Sequence, residues 1–114
     1  MADQVSEEDL KLITLARSAR ARNSTPEGAA VRDDTGRTYN ATTVSLSSLK
    51  LSAVLSAISA AISSGAKKLE AVVVVTDAGQ LTADDLAVAK ELAQAGALFH
   101  RCNAAGDVIE TIAL

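Results

Sequence analysis

The segment that most constrains the fold is LEAVVVVTD, residues 69–77. From Ala71 to Val75 it holds five apolar residues in a row, without the alternation of apolar and polar residues that a half-exposed strand shows. Such a run is typical of a central strand that is covered on both faces. The sequence therefore predicts a sheet with helices on each side, since packed layers are what cover both faces of such a strand.

Two of the helices predicted around this strand begin with a hydroxyl side chain followed three positions later by an aspartate, as in a capping box. The pairs are Ser6 with Asp9 and Thr82 with Asp85. The first helix is predicted over residues 7–22, before the turn-forming segment NSTPEG. The other helix is expected to end at Gly96, because glycine readily takes the left-handed conformation that closes a helix.

The segment SLKLSAVLSAISAAI, residues 48–62, predicts a helix with apolar side chains around most of its circumference. Ser47 or Ser48 is the expected cap and Gly65 the expected end. A helix of this kind is normally covered on most sides. We therefore expect a homo-oligomer, most simply a dimer, with this helix in or beside the interface, unless the two neighbouring helices cover it fully within a monomer.

Two β-hairpins complete the chain, with turns at Asp33–Gly36 and Asn103–Gly106. The predicted order is αββαβαββ, an α/β sandwich of three layers around a mixed five-stranded sheet. The crossover between the two central strands is expected to be right-handed. Residues 1–114 are expected to form a single domain, because this length lies within the commonest domain size.

Composition and charge restrict the partners and the location. The net charge of −3 gives no general attraction to nucleic acid or to an anionic membrane surface. Only one cysteine, Cys102, is present, so an intrachain disulfide is excluded. No apolar run reaches the roughly 20 residues that span a bilayer. These features predict a cytoplasmic protein without a membrane partner.

Three stretches together resemble the cytidine deaminase family. LARSARARNSTPEGAAVRDDTGRTY is similar to the family's first helix and first hairpin, ISSGAKKLEAVVVVTD to its second helix end and central strand, and NAAGDVIETIAL to its closing hairpin. Their order and spacing match the elements predicted above. The resemblance implies the family's three-layer fold and association as dimers or tetramers, and it points to a short member of the family.

The resemblance also implies where zinc and the proton-shuttling glutamate would be held. The family carries Cys or His, then Glu two positions later, at one helix start and Pro-Cys-x-x-Cys at another, where zinc activates a water molecule. Here the first motif falls on Ser52-Ala53-Val54. The second falls on residues 83–87, with Ala83, Asp84 and Ala87 at the motif positions. We therefore expect no zinc, no catalytic residue and no cofactor.

The residues that would hold a nucleoside are replaced as well. The family's Asn-x-Glu clamp for the sugar aligns with Thr43-Val44-Ser45, and an aromatic residue before the proline aligns with Thr25. The segment SLKLSAVLSAISAAI, residues 48–62, is thus expected to be plain core at the former site. A degenerate pocket for nucleosides or other small molecules stays an alternative.

Other candidate sites have simpler structural interpretations. His100 and Cys102 share one face of a predicted strand and, with Asp84, would give three metal ligands, but an edge-strand histidine and a buried thiol are favoured. Ser52 near Asp84 lacks a base to activate the hydroxyl. A local basic patch could bind RNA or phosphates, but a solvated helix end is favoured, since no aromatic residue lies among its members. They are Arg17, Arg20, Arg22, Arg32, Arg37, Lys67 and Lys68.

The resulting hypothesis is a cytidine deaminase homologue without enzyme activity and with a structural, regulatory or protein-interaction role. Its partner is expected to be a second copy or an unidentified protein, not nucleic acid. The alternatives are the small-molecule binder and an enzyme of the family whose site the alignment misses.

Overall fold

The computed structural model describes residues 5–114, which form one mixed five-stranded sheet with helices on both faces. The elements are α1 Glu7–Asn23, β1 Gly28–Asp33, β2 Thr38–Thr42, β3 Val44–Ser45, β4 Lys50–Leu51, α2 Ala53–Ser63, β5 Leu69–Val75, α3 Ala83–Leu92, β6 Ala93–Cys102 and β7 Val108–Ala113. The strand order is β2-β1-β5-β6-β7, in which only β5 and β6 run parallel. The predicted fold class and element order are confirmed, with a short two-stranded ribbon, β3 and β4, added before α2.

The central strand β5 is covered on both faces, as its continuous apolar run predicts. On one face Val73 and Val75 pack with Leu12 of α1. On the other face Val72 and Val74 belong to a larger cluster beneath α2 and α3. Residues 5–114 therefore form three layers, with α1 alone on one side of the sheet.

The first helix lies unusually close to β1. A Cβ atom added at Gly28 would lie 2.2 Å from the carbonyl oxygen of Ala16 and 2.8 Å from Cβ of Arg20. Only glycine leaves room for this approach. The contact fixes the second half of α1 against the end of the sheet where β1 begins and β5 ends.

The prediction that Ser47 or Ser48 caps the second helix is wrong. These serines lie at the turn of the β3–β4 ribbon, where the backbone N–H of Leu46 donates to the carbonyl of Leu49 at 2.8 Å. The ribbon pairs Val44 with Leu51, and α2 begins only after it. Strand pairing keeps the backbone extended up to Leu51, so the helix begins only at Ala53.

The prediction that Gly96 ends the third helix is also wrong, whereas Gly65 does follow α2 in the left-handed conformation with φ 103°. Helix α3 ends at Leu92, and Ala93 already pairs with β5. Gly96 has φ 85° and lies within β6, where the register against β5 shifts. Its positive φ accommodates this shift of register within β6.

The strand that carries His100 is not an edge strand, because β6 lies between β5 and β7. The expectation of an edge-strand histidine is therefore wrong. Within residues 5–114 the structure contains no helix long and apolar enough to cross a bilayer.

Candidate functional site

The amino ends of α2 and α3 meet through one side-chain hydrogen bond. Ser52 is the N-cap of α2, and its Oγ accepts the backbone N–H of Leu55 at 3.1 Å. The same hydroxyl donates to Oδ1 of Asp85 at 2.6 Å. Asp85 lies in the first turn of α3, whose positive end favours a carboxylate. The pair therefore links two helices at the place where the resemblance puts the family's zinc-binding and proton-shuttle positions.

The carboxylate that reaches Ser52 belongs to Asp85 and not to Asp84, so the pairing considered from the sequence is wrong by one position. Asp85 is buried, whereas Asp84 is exposed. Consecutive helical residues point about 100° apart, so only one of them can face α2. The capping signature Thr82-x-x-Asp85 was visible in the sequence, but the aspartate's tertiary partner was not.

These residues do not fit a zinc site. Zinc in proteins is held by cysteine sulfur, histidine nitrogen or carboxylate oxygen, and Asp85 is the single such group in the contact. The first motif position is a serine hydroxyl already engaged in two hydrogen bonds. The last motif position is Ala87, which has no ligand atom and is exposed. Val54, at the proton-shuttle position, is fully buried and apolar.

The residues aligned with the nucleoside clamp fasten the backbone instead. Oγ1 of Thr43 accepts the N–H of Glu27 at 3.1 Å. The hydroxyl of Thr25 donates to the carbonyl of Glu27 at 3.0 Å. Both threonines therefore hold the segment that leads into β1, while Val44 and Ser45 form the first strand of the ribbon.

A second polar cluster, which the sequence analysis missed, lies on the opposite face of the sheet beneath α1. We call it the Asp9 cluster. Oδ2 of Asp9 lies 2.8 Å from Nε2 of His100, and Oδ1 lies 2.8 Å from Nη2 of Arg32. Nδ1 of His100 lies 2.8 Å from Oγ1 of Thr111, and Nε of Arg32 contacts Glu70. An ionised carboxylate only accepts hydrogen bonds, so Nε2 of His100 carries the proton.

Burial alone would raise the pKa of Asp9. Hydrogen bonds from His100 and Arg32, and the positive charge of Arg32, outweigh burial and hold this pKa below its ordinary value. The cluster joins α1 to β1, β5, β6 and β7, so it couples the helix to most of the sheet. No sequence signal connects Asp9 to His100, because 91 positions separate them.

His100 and Cys102 do share one face of β6, as their spacing predicts, and both are buried. That face contacts α1, whereas Asp84 lies on α3 beyond the other face, so the sheet separates the three candidate ligands. Within residues 5–114, no group of three His, Cys, Asp or Glu side chains is placed to hold a metal ion. Burial raises the pKa of Cys102 to about 11.

The basic residues do not form one patch. Arg32 belongs to the buried Asp9 cluster. Lys67 and Lys68 precede β5, whereas Arg17 and Arg20 lie near the carbonyl end of that strand. The two halves of the predicted patch therefore lie at opposite ends of β5.

The family model described as cytidine deaminase-like matches residues 5–106 of the chain. A search of curated proteins found no relative of this sequence. The fold is similar to three solved structures of cytidine deaminases. That from Burkholderia pseudomallei has TM-score 0.78 at 21% identity and covers 96% of this chain and 93% of its own.

The structure from Mycobacterium leprae has TM-score 0.70 at 24% identity, with 85% of this chain and 89% of the other covered. That from Mycobacterium tuberculosis has TM-score 0.68 at 22% identity, with 83% and 85% covered. At these identities the likeness establishes the fold.

Proposed function

The chain belongs to the cytidine deaminase-like family, and we propose that it is a member without deaminase activity that acts through protein contacts in a structural or regulatory role. The proposal takes residues 1–114 as one domain and the cytoplasm as its location. It rests on two regions. One is the amino ends of α2 and α3, where the family holds its zinc and its proton-shuttling glutamate. The other is an apolar groove on the outer side of the same helices.

The observation that carries the proposal is the hydrogen bond between Ser52 and Asp85. Deamination in this family needs a metal-held water and a carboxylate that moves protons. Here the hydroxyl and the carboxylate satisfy each other, and Val54 offers an apolar side chain in place of the proton shuttle. Thr25 and Thr43, at the positions that would grip a nucleoside, are bound to the backbone of Glu27. The side chains that would hold zinc and move protons, and those that would bind a nucleoside, are thus replaced at the aligned positions.

Metal content and activity test the loss of chemistry together. Protein purified without chelator is expected to carry no stoichiometric zinc and to leave cytidine unconverted, with the Mycobacterium tuberculosis deaminase as the positive control for both measurements. About one zinc per chain, together with uridine formation that Asp85→Ala abolishes, would overturn the proposal.

The surface offered to a partner is the groove between α2 and α3. This groove has a volume of about 590 Å³. Its apolar lining residues are Leu51, Leu55, Ile58, Ile62, Val88 and Leu92. Ile62 is 43% exposed, and the adjoining ribbon exposes Leu46 and Leu49 by 61% and 49%. The remaining lining residues are Ser59, Ser63 and Glu91. An exposed apolar surface of this kind is typical of a protein–protein contact.

We propose that a second copy of the chain covers this groove and forms a dimer. Helix α1 lies on the opposite face of the sheet and α3 leaves one side of α2 open, so the alternative expectation, that these two helices cover α2 fully, is not met by the exposed Ile62. A symmetric contact would bring the same apolar side chains of both copies together.

Light scattering or sedimentation at micromolar concentration tests the dimer. The wild type is expected to be dimeric, and Ser59→Asp, which places a charge in the groove, is expected to be monomeric. Ala105→Asp, in an exposed turn beyond β6, is the matched control and is expected to stay dimeric. A monomeric wild type, or a Ser59→Asp variant that assembles as well as the control, would reject this interface.

A further inference from the structure

A cleft of about 550 Å³ lies beside the second half of α1, on the opposite side of the sheet from the apolar groove. The helix forms one wall, the carbonyl end of β5 contributes Val75, and the turn after β6 contributes Ala104. Two arginines of α1, Arg17 and Arg20, line it together with the hydroxyls of Ser18 and Ser24. The volume lies within the range of small-molecule sites.

Arg17 is held in place without a carboxylate partner. Its Nε donates to the carbonyl of Ala104 at 3.3 Å. A Cβ atom added at Gly106 would lie 2.7 Å from Cδ of Arg17, so the arginine stem passes directly over this turn. Among residues 5–114, no acidic side chain forms an ion pair with it. A positioned guanidinium with an unpaired charge therefore faces the cleft.

Arg20 is only partly satisfied. Its Nη2 lies 2.9 Å from Oδ2 of Asp77, and the Asp77 side chain is 79% exposed. Its Nη1 is enclosed and has no hydrogen-bond partner within residues 5–114. An ion pair with so exposed a carboxylate is weak and exchanges readily. The cleft thus contains the positive charges of Arg17 and Arg20, and in the described part of the chain the exposed carboxylate of Asp77 is the one negative charge paired with them.

We propose that this cleft binds a phosphomonoester or inorganic phosphate, a role separate from the proposed contact between copies. Guanidinium groups match phosphate oxygens in charge and geometry. A dianion balances both Arg17 and Arg20 and displaces Asp77, whereas a monoanion leaves one positive charge unpaired. The hydroxyls of Ser18 and Ser24 supply further donors.

A nucleic acid fits these observations less well. No aromatic side chain lines the cleft to stack a base. The basic residues do not continue as a strip along the sheet, since Lys67 and Lys68 lie at the other end of β5. A compact phosphate group is therefore the favoured ligand.

Calorimetric titration of the full chain at low salt tests the site, with inorganic phosphate and ribose 5-phosphate as probes and ribose as the uncharged control. Both phosphates are expected to saturate one site per chain, and ribose is expected not to bind. Tighter binding of ribose 5-phosphate identifies an organic phosphomonoester as the ligand class, and equal binding identifies the phosphate group alone.

Variants on one helix and its facing loop locate the site. Arg17→Gln is expected to weaken phosphate binding about tenfold, because it removes a charge and a two-pronged donor. Arg22→Gln, at an exposed position of the same helix outside the cleft, is expected to bind as the wild type does. Asp77→Asn is expected to tighten binding, because it removes the competing carboxylate. Arg17→Lys, which keeps the charge, is expected to weaken binding less than Arg17→Gln.

The proposal is overturned if phosphate fails to saturate the wild type below a dissociation constant of about 10 mM. Equal losses in Arg17→Gln and Arg22→Gln would also reject it, because they indicate general surface charge. Binding of a single-stranded RNA without binding of either phosphate would assign the arginines to a nucleic acid and reject the cleft. Far-ultraviolet circular dichroism of each variant verifies that it is folded.

Discussion

Helices α1 and α3 begin in the same way and reach opposite kinds of surroundings. In each, a hydroxyl N-cap accepts the N–H of an aspartate three positions later, Ser6 from Asp9 and Thr82 from Asp85, both at 3.1 Å. Both aspartates are buried. Asp9 meets the Arg32 guanidinium and the His100 imidazole beneath α1, whereas Asp85 meets one hydroxyl at the start of α2. The same local pattern therefore starts a helix in both places, and the tertiary partner decides what the carboxylate does.

The largest effect is expected from breaking the Asp9 cluster. Asp9→Ala leaves Arg32 and His100 buried without their shared acceptor, and breaking a buried pair in this way costs about 3–5 kcal/mol of the free energy of unfolding. Urea denaturation measures the change. Glu7→Ala, an exposed acid in the same helical turn, is the control and is expected to cost less than about 1 kcal/mol. Similar losses in the two variants would show that the cluster does not stabilise the fold.

A smaller effect is expected at the other aspartate. Ser52→Ala removes an N-cap and leaves Asp85 without its donor, which together cost about 2–3 kcal/mol. Ser6→Ala removes only a capping bond and is expected to cost about 1 kcal/mol. Denaturation of both variants in parallel isolates the contribution of the Ser52–Asp85 bond. Equal losses would mean that this bond adds nothing.

The free energy of unfolding is expected to depend on pH through the ionisation of Asp9. Because the pKa of Asp9 is lower in the folded protein than its ordinary value of 3.8, its stabilisation is complete above that value and is lost as the pH falls through the folded pKa. The stability difference between wild type and Asp9→Asn is therefore expected to shrink on acidification below pH 4.

The comparison with Asp9→Asn is needed because a second carboxylate also contributes to acid sensitivity. Burial would raise the pKa of Asp33, but hydrogen bonds from the Thr35 hydroxyl and from the backbone of Arg37 and Thr35 lower it. Asp33 is present in both proteins, so its contribution cancels. A difference that stays constant from neutral pH down to pH 2 would contradict the role assigned to Asp9.

The last prediction concerns the reactivity of a buried thiol, and it requires no change in the stability of the fold. Cys102 is fully buried beneath α1, and burial raises its pKa to about 11. At pH 8 it is expected to react more than about a hundredfold slower than the exposed thiol of Ala87→Cys on α3. Labelling with a thiol reagent, followed by mass spectrometry, gives both rates. Comparable rates in the native proteins would show that the α1 face opens freely.

Sequence signals succeeded where the deciding contact is local. The continuous apolar run predicted the buried β5, and Ser6, Thr82 and Gly65 were assigned to helix ends correctly, because a cap depends on residues within one helical turn. The choice of Ser52 over Ser47 and Ser48 as a cap depends on the pairing of Val44 with Leu51. That pairing has no local signature, so three similar serines could not be told apart.

The partners of the buried carboxylates could not be predicted for the same reason. Ser52 and Asp85 are 33 positions apart, and the alignment with the family favoured Asp84. A shift of one residue rotates a helical side chain by about 100°, so a pairing that names the right helix can still name the wrong side chain, as the pairing of Ser52 with Asp84 did. The absence of a second cysteine, in contrast, can be read from composition, because Cys102 is the single cysteine.

The separation of 91 positions between Asp9 and His100 also has a consequence during synthesis. At about 5–20 residues per second, a ribosome takes roughly 5–18 s to proceed from the first residue to the second. The carboxylate stays in water throughout this interval, and from the synthesis of Val75 until β6 follows, β5 has no partner on one edge. An unpaired strand rich in valine is prone to associate with other chains. The nascent protein therefore exposes this edge of β5 until β6 leaves the ribosome.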